Sequence, residues 1–176
     1  MKNFPYAVWL VPCAEQRIGL KQIIQRLAAR FGTPLFEPHS TLCSGIWTQG
    51  LPALTHAVDG LAGRSAPLSM AVTGLDWIDR WFGFFFLRLR SVDSDDLFIR
   101  ARRQVAGSHP PEIGPHVSLL YNFGEDEMDR AALRDELAGT WPAVIRFDAL
   151  KLVRPASGSW EDISSWEILH VAVLSA

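Results

Sequence analysis

Two short stretches far apart in the chain carry the same grouping. Pro38-His39-Ser40-Thr41-Leu42 and Pro115-His116-Val117-Ser118-Leu119 both read Pro-His-x-[Ser/Thr]-Leu, an imidazole and a hydroxyl two residues apart. On a strand such residues share a face, so His39 is expected to point with Thr41, and His116 with Ser118. Two imidazoles with a hydroxyl beside each are the equipment for hydrolysing a phosphoester. One histidine takes a proton from the attacking water and the other protonates the departing oxygen. A histidine pKa near ~6.5 lets one ring be neutral and the other charged at working pH. Acid–base catalysis of this kind contributes on the order of 10²–10⁴-fold. Thr41 and Ser118 would hydrogen-bond the non-bridging oxygens, where negative charge must be held. A single His-x-Ser carries almost no information. The repetition carries it, each copy lying where a proline-containing loop enters a predicted strand. The pattern leaves open which histidine is acid and which is base.

The elements that must position these residues follow from hydrophobic periodicity. Tyr6 to Pro12 reads as a buried strand, and Ala14 to Phe31 as a helix stopped by Gly32. His39 to Ile46 is a strand and Leu51 to Leu61 a helix. Leu68 to Ile78 and Phe82 to Leu89 form a hairpin around Asp79 and Arg80. Asp93 to Ala106 is a helix with acidic residues at its start, as the helix dipole prefers. Gly107 to Pro115 is a loop, and His116 to Asn122 a strand. A helix over Asp126 to Leu137 and strands over Val144 to Val153 and Trp166 to Leu174 complete the order β-α-β-α-β-β-α-β-α-β-β. That order repeats near the midpoint, with no linker long enough to separate independent domains. A compact α+β body of two related halves, spanning residues 1–176 as one domain, is the expectation.

Composition narrows the function classes. Among 176 residues 48% are hydrophobic, including seven Trp and ten Phe, enough for a substantial core. The formal charge of −2 gives no global basic field for binding long nucleic acid. Two cysteines, Cys13 and Cys43, do not make a disulfide framework, and no CxxC pair suggests zinc. There is no acidic cluster of the type that holds Mg²⁺, so neither metal nor other cofactor is expected. No export signal and no run of ~18 uncharged apolar residues is present, so a cytosolic protein away from membranes is expected.

Other residues invite a reading. Phe84, Phe85 and Phe86 read as core rather than as a base-binding platform. His56, His109 and His170 read as surface or structural residues, with His109 within reach of the cleft mouth. Arg100, Arg102 and Arg103 read as a solvated helix face. Cys43, two residues after Thr41, would lie near the cleft, but has no partner base to make it a nucleophile. Tyr121 stands at odd spacing from Ser118, and strand alternation alone would turn it away.

At the two histidine motifs the chain resembles the 2H phosphoesterase superfamily, and within it the small cyclic phosphodiesterases known from plants and yeast. The similarity extends to Tyr6-Ala7-Val8-Trp9-Leu10-Val11-Pro12, to Leu119-Leu120-Tyr121 after the second motif, and to Trp166-Glu167 before the last strand. The resemblance implies two pseudo-symmetric lobes, each an antiparallel sheet flanked by helices, around a central cleft. It implies hydrolysis of 2′,3′-cyclic nucleotides or ADP-ribose 1″,2″-cyclic phosphate, with His39, Thr41, His116 and Ser118 as the catalytic four. It also implies Tyr121 and Trp9 as substrate-contacting residues. Independently of the resemblance, a monomer is expected. The first motif departs from the family in placing Ser40 where an aliphatic residue is usual, and Trp81 matches only as an aromatic. A relative acting on RNA ends or 2′,5′ linkages would use the same residues. A non-catalytic module binding phosphorylated nucleotides would not need two proton-transfer groups.

Overall fold

A computed structural model describes residues 4–78, 84–91, 96–105, 108–109, 111–121 and 130–176. The expected hairpin turn, Trp81 and the start of the fourth helix lie outside the described residues. The chain forms β1 (Phe4–Pro12), α1 (Ala14–Phe31), β2 (Ser40–Trp47), α2 (Leu51–Ala62), β3 (Leu68–Ile78) and β4 (Phe84–Ser91). It continues with α3 (Asp96–Gln104), β5 (Ser108–His109), β6 (His116–Tyr121), α4 (Arg130–Leu137), β7 (Val144–Pro155) and β8 (Trp166–Val173). The short β5 falls inside a stretch expected to be loop, because two residues pair with β2 through Ser44↔His109 and Gly45↔Ser108. Two residues are too few to leave a periodic signal.

The fold is α+β, and among the described residues every strand pairing is antiparallel. The strand order β5-β2-β1-β7-β3-β4-β6, with β8 also on β7, shows how the two lobes join. β7 pairs with β1 through Phe147–Val153. Its other edge is shared end to end, by β3 along Val144–Phe147 and by β8 beyond Ala149. One lobe is therefore β5-β2-β1-β7-β8 and the other is β3-β4-β6 with the start of β7.

The helices cover one face of this curled sheet. Tyr6, Val8 and Leu10 of β1, Leu20 and Ile24 of α1, and Phe85 and Leu87 of β4 belong to the same core cluster. α1 packs on β6 and α3 on β2, so each half lends a helix to the other's strand. The opposite face of β1 carries Ala7 and Trp9, which meet Val153, Trp160 and Trp166 in a second, smaller cluster. β1 is thus buried on both faces, which is why its sequence is apolar without alternation. Among the described residues no helix is long and apolar enough to cross a membrane.

Candidate active site

Both histidines are held in the same way by their own loops. A backbone carbonyl can only accept a hydrogen bond, so the ring nitrogen against it must carry the proton. His39 Nδ1–H donates to the Glu37 carbonyl at 2.7 Å, and His116 Nδ1–H donates to the Gly114 carbonyl at 2.9 Å. In each motif the acceptor lies two residues upstream, across the proline. The tautomer is thereby fixed, with Nε2 of each ring as the unprotonated nitrogen of the neutral imidazole. His39 sits one residue before β2, which begins at Ser40 rather than at the histidine.

The hydroxyls and the aromatic neighbours are set by two β-bulges. In the β1–β2 ladder Trp9 pairs with Thr41 but Val8 pairs with Cys43, which leaves Leu42 as the extra residue. In the β4–β6 ladder Phe86 pairs with Ser118 but Phe85 pairs with Leu120, which leaves Leu119 as the extra residue. The leucine of each motif is therefore the bulge residue, and both leucines are fully buried. A bulge resets the alternation of the strand that carries it. Tyr121 consequently pairs with Phe84 and shares a face with Ser118 and His116, contrary to simple alternation. The first bulge has the converse effect on Cys43. It turns into the core beside Val8 rather than lying near the cleft, and burial pushes its thiol up to about 12.

Rings connect the two motifs across one cleft. Trp9 stacks on His39 at 3.7 Å between centroids, with planes 11° apart. Trp166 meets His39 at 5.6 Å and Tyr121 at 5.8 Å, both edge to face. Phe84 lies 5.7 Å from Tyr121 and 5.6 Å from His116. The cleft has a volume of about 1230 Å³ and is lined by Trp9, Thr41, His116 and Tyr121 of the expected residues. His39 and Ser118 lie just behind that surface, 3% and 2% exposed.

The lining also includes residues that the sequence reading did not rank. Phe84 lines the cleft, whereas Phe85 and Phe86 are buried, so the triple-phenylalanine run is core at only two of its three positions. His109 reaches the cleft from β5, and Ser44 stands five residues after His39, as Tyr121 stands five after His116. Trp160 comes from the β7–β8 connection and Trp166 opens β8; the serines of that connection bond one another, Ser157 Oγ to Ser165 Oγ at 2.9 Å. An apolar Trp160 within that polar loop was the one available signal. His170 pairs instead with Asp59 on the far side of the lobe at 2.6 Å.

Burial governs the electrostatics. It pushes His39 down to about 3, an effect opposed by the Glu37 carbonyl and reinforced by the charges of His116 and Lys151. His116 is lowered as well, again chiefly by burial and against its bond to Gly114. Burial raises the Tyr121 phenol to about 12, against the opposing contact with Ser118. Among the described residues no group of three or more His, Cys, Asp or Glu side chains is placed to hold a metal ion.

The model of the cyclic phosphodiesterase-like protein family matches residues 4–99, more than half of the chain. The chain belongs to this family. With it comes membership of the 2H phosphoesterase superfamily, whose members are phosphoesterases. The match contains the first histidine motif, and the second lies beyond it. A search of curated proteins finds no match. Among solved structures, E. coli LigT complexed with ATP is similar over 100% of both chains, with a TM-score of 0.63 and 14% identity. E. coli LigT complexed with phosphate matches at 0.57 and 17%, again over 100% of both chains. TT0787 of Thermus thermophilus matches at 0.58 and 15%, over 97% of this chain and 98% of its own. At such identities the likeness is one of fold.

Proposed function

We propose that the protein hydrolyses a cyclic phosphodiester in a small nucleotide, a 2′,3′-cyclic nucleotide or ADP-ribose 1″,2″-cyclic phosphate, without a metal. His39 and His116 act as the acid–base pair, Thr41 and Ser118 hold the phosphoryl oxygens, and Trp9 and Tyr121 meet the base or sugar. The carrying observation is that both imidazoles have Nδ1 tied to a carbonyl in the same local motif and are joined by one set of rings around one cleft. Water oxygen bonds to phosphorus while one Nε2 takes its proton. The ring P–O bond breaks, and the other imidazolium gives its proton to the released ribose oxygen. The product is a phosphomonoester. E. coli LigT has been seen with phosphate and with 3′-AMP, ligands that suit such a cleft. The two free cysteines fit a reduced, cytosolic setting.

The test is hydrolysis of 2′,3′-cyclic nucleotides in EDTA. His39→Ala and His116→Ala should each lose at least ~10²-fold in rate, the lower end of what general acid–base catalysis contributes. Full activity in either variant counts against the reading. A second reading, action on RNA ends or 2′,5′ linkages, is favoured by size. The cleft of about 1230 Å³ exceeds the ~300–1,000 Å³ usual for a small ligand. A higher kcat/KM on short oligonucleotides than on mononucleotides would select it.

A further inference from the structure

The register that makes the two motifs equivalent also shows where the halves differ. Lys151 of β7 pairs with Trp9, and Asp76 of β3 pairs with Phe86, so a lysine in one half stands where the other half has an aspartate. Asp76 is engaged by Arg88, and the Arg88 side chain is exposed. The Lys151 side chain is only 12% exposed, and its ammonium reaches both carboxylate oxygens of Glu37 at 2.6 Å. Glu37 is the residue whose carbonyl fixes His39. The matching carbonyl in the second motif belongs to Gly114, which has no side chain to anchor.

Building on the phosphodiesterase reading, we infer that Lys151 is a positioning residue for His39, acting through Glu37. Residues 33–39 form no regular secondary structure, so no ladder of hydrogen bonds holds the Glu37 carbonyl in place. A salt bridge to a strand interior to the sheet supplies that anchor. Arg17 of α1 approaches the same carboxylate at 3.9 Å, a longer and more exposed contact. Among the described residues, the charged and titratable groups bearing on His39 are Lys151 from β7, His116 from β6, and Glu37 on its own loop with Arg17 behind it. Losing the ammonium removes a cation near the imidazole and frees a carboxylate, and both changes make His39 easier to protonate.

The experiment compares Lys151→Met, Lys151→Arg and Glu37→Gln with wild type. Lys151→Met and Glu37→Gln should lower kcat roughly 10- to 100-fold with little change in KM, as expected for a misplaced catalytic group. In Lys151→Met the pH limb assigned to His39 should move to higher pH, and Lys151→Arg should restore most of the rate. Imidazole ¹⁵N spectra, which need no turnover, should show His39 protonated on Nδ1 in wild type. In Lys151→Met they should show a mixture of tautomers and a raised pKa. A Lys151→Met protein with a lower melting temperature but unchanged kcat, pH limb and tautomer overturns the inference. Absence of turnover in wild type with the spectral change still present would reject the phosphodiesterase reading and leave the positioning role standing.

Discussion

Each imidazole of the pair is a weaker base in the folded chain than in water, and this has two measurable consequences. Both pKa values lie below ~6.5, the ordinary histidine value, with His39 near about 3. Between the folded and unfolded values the unfolded chain binds more protons, so stability is full above ~6.5 and falls as pH drops towards 3. The slope is at most about 1.4 kcal/mol per pH unit per histidine. His39→Gln should flatten the fall in melting temperature between pH 7 and pH 4, and an unchanged slope would contradict the assignment. In catalysis, kcat/KM reports the free protein and kcat the substrate complex. An anionic phosphodiester between the rings favours imidazolium. The kcat profile should therefore lie at higher pH than the kcat/KM profile, whose optimum should fall below ~6.5. At this scale the four motif residues were legible because their chemistry repeats in the sequence. The Lys151–Glu37 contact was not, since a lysine in a strand and a glutamate in a loop carry no sign of their meeting.

Among the elements, the bulges decide what the cleft contains. Leu42 and Leu119 sit in the core, so each drives its bulge by burial while its neighbours turn toward the substrate side. Leu42→Ala or Leu119→Ala should each cost about 2–5 kcal/mol in urea denaturation, the range for deleting a buried leucine side chain. Deleting Leu119 outright should remove the bulge yet leave Tyr121 two positions after Ser118 and still on the cleft face, so that stability falls while a variant that folds keeps its activity. Strand positions were readable from apolar runs, but an extra residue in a ladder has no signature in hydrophobic period. That is why alternation placed Tyr121 and Cys43 on the wrong faces. The pairing of Phe84 with Tyr121 follows from the same bulge and sets the two rings 5.7 Å apart at the cleft.

Over the whole molecule, the two lobes are interlocked by exchanged helices and by a strand they share. α1 packs on β6, α3 on β2, and β7 completes both sheets. The chain should therefore behave as a single domain, with one calorimetric transition whose van't Hoff and calorimetric enthalpies agree. Two resolved transitions would show the lobes to be separable. The repeated element order made the paired halves legible from sequence. The sharing of β7 was not, because it depends on pairings between segments more than a hundred residues apart, such as Val8 with Leu152.

That long-range pairing bears on how the protein is made. β1 leaves a ribosome well before β7, and one of its two edges stays open until β7 has been translated. Contacts of this separation slow folding and leave sticky intermediates in the meantime. A nascent chain halted before Val144 carries its first histidine motif on an unfinished sheet, a natural substrate for a chaperone rather than for catalysis.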